Sequence, residues 1–249
     1  MKADPNKSLQ EIAVEVPGAI RALENCGLDY CQATRTSLKA ACEERGLEIE
    51  GVLAQMEQGA FDAEESRVFA EWSARSLGDL IAHIVSRHHA FCWRELDRLA
   101  RLLEEAAAVK NRHRRDVKRL QKLFSVFHQK LRQHMSFEEQ AAFPYIAALE
   151  RAAQGGEAVP ASGFPTVQRP VRMMLLDHDA AVRLLRRVQA ASADPRLRRC
   201  KTPSGHDLSS MMTKFEEELS SHIFLEDHIL FPRAVNLERS ESLPSRKTN

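Results

Sequence analysis

Two stretches of this chain repeat one arrangement: His134-Met-Ser-Phe-Glu138-Glu-Gln-Ala-Ala-Phe143-Pro144 and His222-Ile-Phe-Leu-Glu226-Asp-His-Ile-Leu-Phe231-Pro232. On an α-helix, positions i and i+4 share one face about 6 Å apart along the axis, so each copy points an imidazole and a carboxylate the same way. Neutral imidazole with carboxylate is a donor set for iron, manganese or zinc. A duplicated His-x-x-x-Glu is therefore a candidate metal site.

The elements that must position these groups are helices. Leu120, Phe124, Phe127 and Leu131 precede the first pair at helical spacing, and Leu208, Met212, Phe215 and Leu219 precede the second at the same offset. Two further stripes carry one imidazole each: Ile81, Val85, His89, Cys92 and Leu96, then Val171, Leu175, His178, Val182 and Leu185. Four helices thus place His89, His134, His178, His222, Glu138 and Glu226 where a core would hold leucine. Ionisable groups in an apolar interior are costly, and metal coordination satisfies all six together. A lone helical His-x-x-x-Glu is commonly a surface hydrogen bond, and a lone core histidine commonly finds a polar partner. The coincidence of six on core stripes favours metal.

The donor count points to two ions. Two carboxylates among four imidazoles suit an arrangement in which both glutamates bridge and each metal takes two histidines. The protein then supplies eight of the roughly twelve bonds that two octahedral ions need, leaving positions for solvent, dioxygen or nitric oxide. The absence of thiolate partners argues against a structural zinc site. Asp177 and Asp179 beside His178, and Glu139 and Asp227 after the two glutamates, are either acceptors for imidazole N–H groups or solvated side chains. His83, His88, His113, His128, His206 and His228 fall off the stripes and read as ordinary histidines. Phe143 and Phe231 read as packing residues.

Composition limits the classes of function. The chain has 249 residues, with 36 basic against 35 acidic side chains and a net charge of +1. Without a positive excess, the basic runs 110–115 and 183–187 read as solvated helix faces, so nucleic-acid binding is not expected. No stretch reaches the roughly 20 apolar residues of a membrane span, and the polar start resembles no leader. Five cysteines without framework spacing suit a reducing compartment. A cytoplasmic protein without membrane attachment is the expectation.

The coarse organisation is all-α. Ser8 and Glu11 form a capping box opening a helix that runs towards Asn25, followed by helices over 37–45 and 48–58. Residues 1–58 read as a small helical N-terminal domain and 59–75 as a linker. Residues 76–238 read as a four-helix up-down bundle with helices near 77–109, 116–151, 169–191 and 207–237, and 239–249 as a disordered tail. Pro144 and Pro232 should kink or end their helices.

The bundle with His89, His134-x3-Glu138, His178 and His222-x3-Glu226, each pair followed by Phe-Pro, resembles a hemerythrin-like domain. The N-terminal stretch with Leu9-x-Glu11-Ile12-Ala13, Pro17, Leu28-Asp29-Tyr30-Cys31 and Ser37-Leu38-x-x-Ala41-Cys42 extends the resemblance to the RIC proteins (repair of iron centres), from Ser8 to Leu237. The resemblance implies a carboxylate- and oxo-bridged pair of iron ions, with His89, His134, His178 and His222 as terminal ligands and Glu138 and Glu226 bridging. It implies repair of iron-sulfur clusters damaged by nitrosative or oxidative stress, through iron donation or nitric oxide handling. Its partners would be damaged iron-sulfur proteins and small diatomic ligands. One departure stands out: where the family carries Cys-Cys-Gly-Gly, this chain has Cys31-Gln32-Ala33-Thr34. Cys31 is left as a lone thiolate for iron handling, a partner for Cys26 or a structural residue, and its region offers a place for homodimer contacts.

Two classes of function follow. A repair or redox enzyme, in the extreme a nitric oxide reductase-type oxidoreductase, would turn over at the open metal positions. A hemerythrin-like binding or sensing module would hold dioxygen, nitric oxide or iron without turnover. The N-terminal stretch favours the first.

Overall fold

The computed structural model describes residues 3–16, 18–30, 35–58, 61–108, 114–155, 163, 165–193 and 208–242. The described residues are helical apart from turns and one isolated bridge between Ser8 and Ser37. They divide into two compact units, Met1–Ala82 with Ala141–Leu176 and Phe224–Asn249, and His83–Gln140 with Asp177–Ile223.

The first unit begins with α1 (Leu9–Glu15), opened by the expected capping box of Ser8 and Glu11. The helix expected to run on to Asn25 is two helices, because Val16 precedes Pro17 and takes the extended conformation (φ −108°, ψ 113°) that a following proline favours. Gly18, at φ 78°, makes the left-handed turn into α2 (Ala19–Asn25), where a side chain would be strained. Ser37 caps α3 (Leu38–Arg45), which ends at the left-handed Gly46, and α4 (Ile49–Gln58) follows. Leu9 N–H donates to Thr36 O and Leu38 N–H to Lys7 O, fixing the starts of α1 and α3 side by side.

A helix, α5 (Ala63–Ser73), forms inside the stretch expected to be a linker. Its acidic composition hides an apolar edge: Trp72 is buried, Phe69 stacks near Phe61, and Asp62 with Glu65 makes a second capping box. The Arg233 guanidinium holds its end by donating to Trp72 O and Arg75 O. Two distant carboxylates cap further helices. Glu150 accepts from the backbone N–H groups of Leu77 (2.6 Å) and Gly78 (2.9 Å) at the start of α6 (Leu77–His83). Glu238 accepts from Val167 N–H and from the Tyr145 hydroxyl, just before α10 (Gln168–Ser192). Each carboxylate supplies charge and acceptors where helix N–H groups lack them.

The second unit is built on α7 (Ala90–Ala108), α8 (Arg114–Phe137), the later part of α10, and α11 (Leu208–Leu225). These four helices converge on one apolar core: Cys92, Leu96, Leu99 and Leu103; Leu120, Phe124, Phe127, Leu131 and Met135; Ala181, Leu185 and Val188; Met212, Phe215 and Leu219. This is the expected bundle of four helices.

Among the described residues, three π-helical turns interrupt the helices: Ile84–His89 between α6 and α7, Glu138–Ala142 between α8 and α9 (Phe143–Ala153), and Glu226–Leu230 between α11 and α12 (Phe231–Ser242). They explain two differences from expectation. Pro144 and Pro232, expected to kink or end their helices, stand instead as the second residues of the helices that follow two of these turns, where a missing N–H costs little. The stripe before His89 runs through Leu77, Leu80 and Ile84, which are buried, rather than Ile81 and Val85, which are half-buried. One residue is inserted between Ile84 and His89, so a strict i+4 count back from His89 lands one residue off. Helix α12 also extends through Ser242 into the stretch expected as a tail, where Arg239 is ion-paired with the buried Glu15. Residues 243–249 lie outside the described residues.

Candidate metal centre

All six residues singled out by spacing are buried, and their donor atoms gather. His89 is the last residue of one π turn, while Glu138 and Glu226 are the first residues of the other two. His134 and His222 sit one turn before their glutamates on α8 and α11, and His178 lies in α10. One donor atom from each of His89, Glu138, His222 and Glu226 lies within 4.8 Å of the others; the same holds for His134, Glu138, His178 and Glu226. Glu226 follows directly on Leu225, the last residue of the helix that carries His222. Both carboxylates belong to both groups.

The pairings are specific. Nε2 of His89 lies 3.1 Å from Nε2 of His222, and Nε2 of His134 lies 2.8 Å from Nε2 of His178. Oε2 of Glu138 faces His89 Nε2 at 3.5 Å, whereas Oε1 faces His134 Nε2 at 3.0 Å and His178 Nε2 at 3.9 Å. One carboxylate thus offers one oxygen to each histidine pair.

These donors fit a cation. Two imidazole nitrogens bound at about 2.1 Å and at right angles around one ion stand about 3.0 Å apart, close to both observed separations. Glu138 is fully buried and its two oxygens face imidazole nitrogens, an arrangement that positive charge between them would satisfy. Burial, the largest single influence, makes His134 harder to protonate, but the charge of Glu138 together with the contacts to Asp177 and Glu138 more than offsets it, and His134 is raised to about 9. Excess negative charge attracts cations here, and the nitrogen and oxygen donor set suits iron.

The neighbouring acids separate into roles. Glu139 Oε1 accepts from His89 Nδ1–H at 2.8 Å and from Trp93 Nε1–H at 3.0 Å. Asp177 approaches His134 Nδ1 (3.7 Å) rather than its neighbour His178, and its carboxyl is held below the usual range first by that contact. Asp179 is ion-paired with Arg183. Asp227 is buried.

His88 and His228, which fall off the stripes, are also buried. Nδ1 of His88 lies 2.9 Å from Glu218 Oε1, a partner that no local spacing reveals. His228 packs its ring against Phe61 and Phe224. Burial first, with the Arg21 charge adding to it, lowers His228 to about 3. With a folded pKa below its unfolded value, His228 must take up a proton on unfolding, so its contribution to stability is present above about 6.5 and declines as pH falls towards 3. Urea titrations across that window should show a shallower pH dependence for His228→Leu than for wild type; an unchanged slope would contradict the assignment.

Cys31, His113 and His206 lie outside the described residues. Cys26 and Cys42 are free thiols, both raised by burial, with Cys26 adding to the rise at Cys42. A resting thiolate at either is disfavoured. No helix among the described residues is long and apolar enough to cross a membrane.

A bundle whose facing helices project histidines and glutamates inwards defines a class of helical cation-binding proteins. Residues 80–234 match the hemerythrin HHE cation binding domain, which covers more than half of the chain. The chain belongs to the hemerythrin HHE family. Its likeness extends beyond the bundle. The "Probable iron-sulfur cluster repair protein" of Haemophilus influenzae is 28% identical over 245 residues, covering 92% of this chain and 97% of the relative. The iron-sulfur cluster repair proteins YtfE of Citrobacter koseri and Salmonella schwarzengrund are 28% and 29% identical over 235 residues, with the same coverage. These matches bear out the resemblance to the RIC proteins.

Proposed function

We propose that this chain is a di-iron protein that restores damaged iron-sulfur clusters. The observation that carries the reading is the sharing of Glu138 and Glu226 by two histidine pairs, since two ions bridged by two carboxylates need this donor arrangement. His89 and His222 would hold one iron and His134 and His178 the other. The relatives that match nearly end to end are named for iron-sulfur cluster repair, and the gathered imidazole and carboxylate donors of this chain support the same reading.

When bound, the iron pair supplies redox equivalents and open positions for a small ligand such as nitric oxide, or iron for transfer to a depleted cluster. The chain's own residues hold the donors in place. Glu139 keeps the His89 ring oriented, and the apolar core on α7, α8, α10 and α11 limits water around the donors. Damaged iron-sulfur proteins are the proposed targets. Residues 1–58 are proposed as a module that works with the bundle in that task.

Two assays test the reading. Reduced, iron-loaded protein mixed with excess nitric oxide should release nitrous oxide, or the loaded protein should transfer iron to an apo-cluster protein and restore its absorbance. Stoichiometric nitrosylation without product, together with no iron transfer, would overturn repair in favour of a binding module.

A pH dependence follows from His134. Metal binding displaces the proton that Glu138 stabilises on this imidazole, so affinity should rise about tenfold per pH unit below about 9 for each proton released. Chelator competition at two pH values measures it, and a flat profile would exclude proton displacement at His134.

A further inference from the structure

Glu139 stands apart from the other acids near the histidines. It is not one of the six clustered donors, yet its Oε1 accepts two N–H groups, from His89 Nδ1 at 2.8 Å and Trp93 Nε1 at 3.0 Å. Trp93 lies one turn beyond His89, so the two donors rise from one face of the helix and meet one carboxylate oxygen. The outer side of this arrangement is also fixed. The Arg132 guanidinium lies 4.6 Å from the Trp93 ring centroid and donates to Asp97 at 2.9 Å, so the indole is held between the cation and Glu139. His89 itself is fully buried.

An imidazole that donates from Nδ1 keeps the Nε2 lone pair, and Nε2 is the atom facing His222 and Glu138. A carboxylate acceptor also makes that lone pair more basic. Another candidate donor, His134, meets Asp177 only at 3.7 Å, and that carboxylate is about half exposed. The support for His89 is closer and better enclosed.

We propose that Glu139, locked by Trp93, is a positioning residue that sets the tautomer and donor strength of His89. The proposal builds on the di-iron reading but makes a separate claim about the ring itself. Trp93 acts through Glu139. Removing its N–H frees the carboxylate to rotate, whereas replacing the carboxylate removes both the acceptor charge and the reason for Trp93's position.

The test uses the full chain in two states. In metal-free protein, nitrogen NMR of the His89 ring should show the Nδ1–H tautomer in wild type and a mixture of tautomers in Glu139→Gln. In the metal-loaded state, chelator competition should show affinity lowered about 10- to 100-fold in Glu139→Gln. Trp93→Phe, which keeps an aromatic ring against Arg132, should give a smaller loss in the same direction. The double variant should be no worse than Glu139→Gln alone, and Asp179→Asn should match wild type because Asp179 is ion-paired with Arg183. Circular dichroism and thermal midpoints report whether each variant folds, and Glu139→Asp provides a charge-retaining check that should recover part of the affinity. An unchanged His89 tautomer in Glu139→Gln would overturn the proposal, as would wild-type affinity in that variant. A wild-type protein that shows the tautomer but holds no iron pair would refute the di-iron reading while leaving the positioning role intact.

Discussion

Glu138→Ala should lose nearly all its iron, falling from about two ions per chain towards none, because its two oxygens face different histidine pairs. His178→Ala removes a donor from one group only and should retain about one. A His134→Ala, Glu138→Ala double variant should bind no more than Glu138→Ala alone. Elemental analysis of folded, purified protein measures all three. Two irons in Glu138→Ala would refute a shared carboxylate, and equal losses in Glu138→Ala and His178→Ala would refute separate pairs. The change should leave the fold intact, since Glu138 accepts no hydrogen bond that the helices depend on.

Phe215→Ala should lower stability by about 3 to 5 kcal/mol, the range for removing a buried aromatic side chain. Phe215 is fully buried and meets Phe127 edge to face with ring centroids 5.7 Å apart, while Phe91 packs at 6.2 Å. Its loss opens space among four helices, and rigid backbones close such space only partly. Iron should counter the loss in part, since a ligand that binds only the folded state stabilises it in proportion to the logarithm of its concentration over Kd. Urea unfolding with and without chelator measures both effects. A loss below about 1 kcal/mol would mean that the core relaxes around the site far more than its packing suggests.

The six candidate donors were legible because each interrupts an apolar run whose neighbours fix its direction. His134 and Glu138 follow Phe124, Phe127 and Leu131; His222 and Glu226 follow Met212, Phe215 and Leu219. The same logic failed upstream of His89. Periodicity assumes 3.6 residues per turn throughout, and Ile84–His89 departs from that value. Helix α5 was missed because eleven residues with three glutamates and an arginine resemble a solvated connector, and burial of Trp72 depends on partners distant in sequence. Glu139 could be named from its place beside Glu138, but not its partner. Its bond to His89 joins residues 50 apart, and no local spacing records that.

The π turns make residue count itself part of the centre. Each adds one position to a helix at the point where a donor is placed, so the helix beyond it is rotated by about 100° from the phase it would otherwise keep. Shortening the chain by one residue between Glu226 and Phe231 would return that stretch to ordinary winding and swing every later side chain to a new bearing. Most single substitutions there would change one contact. A deletion would re-aim all of them, which makes these short stretches intolerant of length change even where their side chains are replaceable.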